Sequence, residues 1–210
     1  MRLKYNAPVV LSFSITCVFI LFITQLFFPR LIVDWFMVHG RNSFDPAAIN
    51  HLVSILTHTL GHVSWAHLTG NIMLILVIGP LLEENYGTPW LLLMILITAA
   101  VTGILNIIFF NSTLLGASGV VFMMILLSSF TNFSKGEIPL TFILVLFLFI
   151  GQEILKTLSP ESSNISHFAH IIGGFCGSFF GFFRMNRNLQ SKKHVSVTQK
   201  NSTITQRSGK

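Results

Sequence analysis

Six stretches of this chain read as bilayer crossings: residues 8–28, 67–82, 89–110, 114–130, 138–154 and 167–183. A helix needs about 20 apolar residues to span the hydrocarbon, and a crossing segment must satisfy its own backbone polar groups. The expected fold class is therefore an all-α membrane protein, a bundle of six transmembrane helices. Several of the stretches are short, which suits a thinned or water-filled region of membrane. Composition agrees, since only 10% of the 210 residues are charged and 52% are hydrophobic, against a usual charged share of about 25% in soluble domains. The crossings use nearly the whole chain and leave no room for a separate soluble domain.

The first stretch exceeds the roughly 7–15 residues of a signal-peptide core and lacks a small-x-small cleavage site, so it reads as a retained signal anchor. Basic residues set the orientation. Arg2 and Lys4 precede the first crossing and Lys135 lies between the fourth and fifth. Arg184, Arg187, Lys192, Lys193, Lys200, Arg207 and Lys210 follow the sixth. All of these fall on one side of a six-span chain, which predicts cytoplasmic termini and a plasma (inner) membrane location. Three units are expected: a cytoplasmic N-terminus over 1–7, a membrane domain over 8–183, and a basic, disordered cytoplasmic tail over 184–210. Membrane lipids are expected partners of that tail, through attraction of about 1 kcal/mol per basic residue near an anionic surface. No nucleic-acid partner is expected. Cys17 and Cys176 lie inside apolar stretches and read as small packing residues.

Given that orientation, the second, fourth and sixth crossings all begin on the outer side. His67 heads the second, Ser118 lies about one turn into the fourth, and His170 lies about one turn into the sixth. His67 and Asn71, four apart, share a helix face. Four polar side chains thus meet at one depth, and such groups within membrane segments are functional candidates. Gly173, Gly177 and Gly181 form a small-residue stripe on the sixth crossing, complementary to Gly116, Ala117 and Gly119 around Ser118 on the fourth. Close backbone approach is what a Ser–His hydrogen bond of about 2.6–3.2 Å requires.

Among intramembrane protease chemistries, an aspartyl mechanism fails because Asp34 and Asp45 both lie in the outer loop. His58 and His62 have zinc-ligand spacing, but Thr59-Leu60-Gly61 between them holds no glutamate base. Every lysine lies in a loop or terminus, so a Ser–Lys pair fails. A G-x-S-x-G elbow fails because Val120 occupies the last glycine position. Serine with histidine remains. A non-catalytic alternative stays open: a histidine-rich membrane binding protein, such as a haem carrier using His58, His62, His67, His167 and His170.

These residues resemble the rhomboid intramembrane serine proteases. The resemblance rests on Gly116-Ala117-Ser118-Gly119, Ala169-His170-x-x-Gly173-x-x-x-Gly177, His62-x-x-x-x-His67-Leu68-x-x-Asn71 and Glu83-x-x-x-Gly87, which run in the family's order from about Thr57 to Gly181. It implies a rhomboid-type six-helix bundle in which a Ser–His dyad cuts transmembrane segments of single-span or other membrane proteins, with no cofactor and no metal. Ser118 is then the nucleophile and His170 the general base, while His67, Asn71 and the Ser118 backbone N–H stabilise the oxyanion. No carboxylate stands near His170 in sequence, so a dyad is expected rather than a triad. Phe122 stands where the family often has tyrosine, and its ring is expected over His170. Glu83 is assigned to holding a cytoplasmic loop. Where the family usually has a Trp-Arg pair in the first outer loop, this chain has Val53-Ser54. With both Ser118 and His170 present, a pseudo-protease that binds helices without cutting them is the lesser alternative.

Overall fold

The computed structural model describes residues 5–129, 140, 143–144, 147 and 169–183. The described chain is mostly helical: α1 (Pro8–Leu26), α2 (Pro29–Phe36), α3 (Ile49–Thr57), α4 (Trp65–Tyr86), α5 (Thr88–Phe109), α6 (Ser118–Ser129) and α7 (Ala169–Phe183). Of these, α1, α4 and α5 are long and apolar enough to cross a membrane, and α6 and α7 are shorter apolar helices. The expected fifth crossing lies outside the described residues except for Leu140, Ile143, Leu144 and Phe147, which are helical. The segments 1–4 and 184–210, and His167, also lie outside them.

Helix α4 packs against α1, α5 and α6, and α5 also contacts α3 and α6. Where these helices meet, the main core gathers Val10 of α1, Ile75 and Leu82 of α4, Leu91 and Ile95 of α5, and Val120, Met123 and Leu127 of α6. The outward faces are just as apolar. Val77 is 77% exposed and Phe175 72% exposed, a pattern that is costly in water and normal against lipid tails. The molecule is an integral membrane protein.

Helix ends follow local chemistry. Ser64 caps α4 by accepting the His67 N–H at 3.2 Å, and proline opens α1, α2 and α5, where its missing N–H costs nothing. Two expectations about these ends are corrected. The second crossing does not stop at residue 82: α4 runs on through Glu83 and Glu84 to Tyr86, and Gly87, at φ 85°, closes it. The fourth crossing does not begin at Leu114: residues 114–117 are not helical, and Leu114 pairs with Val38 through two backbone hydrogen bonds of 3.0 Å.

The polar segment 29–61 contains two helices that apolar-run reading does not find. Helices α2 and α3 pack on each other, joined by an Asn50 side-chain bond to the Asp34 carbonyl at 2.9 Å and by the Thr57 hydroxyl on the Trp35 carbonyl. Between them the loop folds on itself. Asp45 N–H donates to His51 Nδ1 at 2.9 Å, and the His39 and His51 rings stack at 4.1 Å.

Candidate active site

Ser118 is the first residue of α6, not one turn inside it. Three tethers on the preceding segment hold it there. Leu114 is bridged to Val38, the Gly116 N–H donates to the His58 carbonyl at 2.9 Å, and the Ala117 carbonyl accepts from Val121 N–H at 2.9 Å to start the helix. Gly116 has φ 120°, a conformation L side chains rarely adopt. A β-carbon there would lie 2.6 Å from Cε1 of the His67 ring. Glycine therefore serves twice, making the turn and letting His67 of α4 sit against it.

This position has a chemical consequence. The first N–H groups of a helix have no intrahelical carbonyl to bond, and they carry the positive end of the helix dipole. Ser118 brings its own N–H to that end. An oxyanion forming beside a hydroxyl here meets preorganised donors.

Helix α7 meets α6 at the same level. A β-carbon on Gly173 would collide with the Gly119 carbonyl, and one on Gly177 with the Met123 carbonyl. The Ala169 carbonyl lies 3.4 Å from where a Gly119 β-carbon would be. His170 is buried at 9% exposure, and its ring centroid is 4.3 Å from that of Phe122, tilted by 36°. Phe122 is one helical turn after Ser118, so the serine's helix meets the imidazole directly.

His67 is half-buried, and its Nδ1 is enclosed without a hydrogen-bond partner among the described residues. Asn71, one turn further, is buried, and its Nδ2 lies 3.1 Å from His62 Nε2. The His62 and His67 rings meet edge-on at 5.1 Å. His62 is the residue the spacing argument passed over. It stood in view, both as the four-residue partner of His58 and in the motif ahead of His67. The two histidines diverge, however. His58 turns toward Thr102 Oγ1 at 3.3 Å and His62 toward Asn71. Burial pushes both down to about 4 against the opposing pull of backbone carbonyls, so both are neutral at physiological pH. No cluster of three His, Cys, Asp or Glu suited to a metal occurs among the described residues.

Glu83 works at the other end of α4. Its carboxylate accepts from Val9 N–H and Val10 N–H at 3.0 Å each and from the Thr88 hydroxyl at 2.9 Å. It thus caps α1, which has no side-chain cap of its own. At the site of the family's Trp-Arg pair, Val53 and Ser54 lie in α3, and Ser54 is fully buried with its hydroxyl on the His51 carbonyl at 2.8 Å.

The model of the Rhomboid domain family matches residues 50–187, a span that contains Ser118, His170 and the α4 motif. The chain belongs to the rhomboid family. It is 25% identical over 128 residues to rhomboid protease GlpG of Haemophilus influenzae, covering 59% of this chain and 67% of that one. Rhomboid-like protein 11, chloroplastic, of Arabidopsis thaliana is 24% identical over 136 residues, covering 58% of this chain and 49% of the relative. Rhomboid-related protein 1 of Caenorhabditis elegans is 34% identical over 132 residues, covering 58% and 36%. The chain thus spans about two thirds of the length of the first relative, half of the second and a third of the third.

Proposed function

We propose that this rhomboid protein is an intramembrane serine endopeptidase that cleaves transmembrane segments of other membrane proteins with Ser118 and His170. The observation that carries the reading is the packing of Phe122 on His170 one turn beyond Ser118. In the proposed reaction His170, neutral, takes the proton of the Ser118 hydroxyl as the oxygen attacks the scissile carbonyl. The Ser118 N–H, His67 and Asn71 hold the resulting oxyanion. His170 then returns the proton to the departing amine, and water hydrolyses the acyl-enzyme. No cofactor takes part. Substrate helices must unwind locally, because helical carbonyls are held in hydrogen bonds, so helix-weakening residues are expected near the cut.

The reading includes a six-helix membrane domain over 8–183 with cytoplasmic segments 1–7 and 184–210. The α2–α3 segment then faces the exterior. The test is cleavage of a panel of tagged single-span proteins in proteoliposomes by the wild-type protein and by Ser118→Ala. Cleavage by the wild type alone supports the assignment, and undiminished cleavage by the variant overturns the serine mechanism. A wild-type protein that binds these helices without cutting would be a pseudo-protease. A Soret band in the purified protein would favour the haem-carrier alternative, although His58 and His62 already engage Ile55, Thr102, Leu60 and Asn71.

A further inference from the structure

Building on the reading of Asn71 as an oxyanion donor, we propose that His62 is a positioning residue that decides which end of the Asn71 amide faces the reacting carbonyl. An asparagine side chain is nearly symmetric in shape and opposite in chemistry at its two ends. Turned one way it offers N–H groups to an oxyanion, and turned the other it offers a carbonyl oxygen that repels one. Its own helix imposes no choice, because the Asn71 side-chain hydrogen bond runs to His62.

The choice follows from the imidazole. His62 Nδ1 lies 3.4 Å from the Leu60 carbonyl oxygen, which can only accept, so Nδ1 carries the ring proton. A neutral imidazole protonated at Nδ1 has a lone pair at Nε2. The Asn71 atom 3.1 Å from that lone pair must be a donor, and Nδ2 occupies the place. One amide proton is held by His62, and the second, in the same plane and about 120° away, is left for the oxyanion. His62 is 1% exposed, so water does not compete for Nε2. The same ring stands edge-on to His67 at 5.1 Å and so borders both assigned donors.

The experiment is a double-mutant cycle with a conservative rescue. His62→Leu should lower kcat by about as much as Asn71→Ala, on the scale of 10²–10³-fold for loss of one oxyanion donor, with KM little changed. The double variant should be no slower than the slower single variant. His62→Gln, whose amide oxygen can accept from Nδ2, should recover most of the rate. Multiplicative losses, or a Gln variant as slow as Leu, would overturn the proposal. A readout independent of catalysis uses ¹⁵N-histidine spectra of the full chain in bicelles. His62 should be the neutral Nδ1–H tautomer, with an Nε2 resonance that moves on Asn71→Ala. An Nε2–H tautomer, or no movement, would refute the orientation. If the wild-type protein cuts nothing, the protease reading fails, and the spectra still decide whether His62 orients Asn71.

Discussion

Glu83 is 4% exposed, and a carboxylate that deep is tolerated only if its oxygens are met by donors. Val9, Val10 and Thr88 supply them. Glu83→Ala should therefore lower stability by about 1.5–3 kcal/mol, the range for losing a hydrogen bond to a charged group, seen as a drop in thermal midpoint. Glu83→Gln should lose less, because one acceptor oxygen remains. Gly116→Ala acts differently, placing a methyl group against the His67 ring at a backbone angle only glycine holds easily. It should cost about 1–3 kcal/mol and depress cleavage more than a comparable surface substitution. Phe122→Ala should lower kcat without abolishing it, since the ring orients His170 and takes no proton. At this scale the spacing of residue types alone singles out Ser118, His170, His67 and Asn71 as candidates. The pairings of His62 with Asn71 and of Thr102 with His58 are not legible there, because the partners lie 9 and 44 residues apart in the chain, and no local period encodes that.

Helices α6 and α7 stay close because two glycines on α7 face carbonyls of α6. Any β-carbon at Gly173 must push the helices apart. Gly173→Ala is expected to reduce cleavage at least tenfold, and Gly173→Val to abolish it and lower the thermal midpoint. Gly70→Ala serves as the control, since a β-carbon there meets nothing within 4 Å, and it should leave stability nearly unchanged. Long apolar helices were legible as elements, because length and apolarity alone mark α1, α4 and α5. The extended segment before Ser118 was not. Leu114 and Leu115 look like the start of a helix, but pairing with Val38 and the backbone of Gly116 override that propensity. Helices α2 and α3, of 8 and 9 residues, are too short to stand out as apolar runs and are held by packing on each other.

For the molecule as a whole, acid should be destabilising in a defined window. His39, His58 and His62 all have pKa values pushed below the ordinary 6.5, chiefly by burial, with His51 also lowering His39. The unfolded chain then binds protons that the folded one refuses, so stability is full above about pH 6.5 and declines as pH falls toward 4. For a residue lowered to about 4, the loss is on the order of 3 kcal/mol. Thermal midpoints measured from pH 8 to 4 should be flat, then fall below 6.5. A midpoint that rises on acidification would mean these rings are charged in the folded protein. The proposed orientation has its own measurement. Single cysteines introduced at the exposed positions Arg41 and Asp45 should react with an impermeant thiol reagent on intact cells. Labelling only after lysis would invert the topology.

The bond between Val10 and Glu83 also has a bearing on biogenesis. Its partners are 73 positions apart, and ribosomes add about 5–20 residues per second. For roughly 4–15 s after Val10 is made, the carboxylate that will cap the first helix does not yet exist. During that interval α1 can rely only on its own apolarity and on water at its frayed end. Its final seating is thus a post-insertion event, scheduled by the synthesis of α4, and a chain truncated before Glu83 should leave the first helix in the bilayer but unlocked.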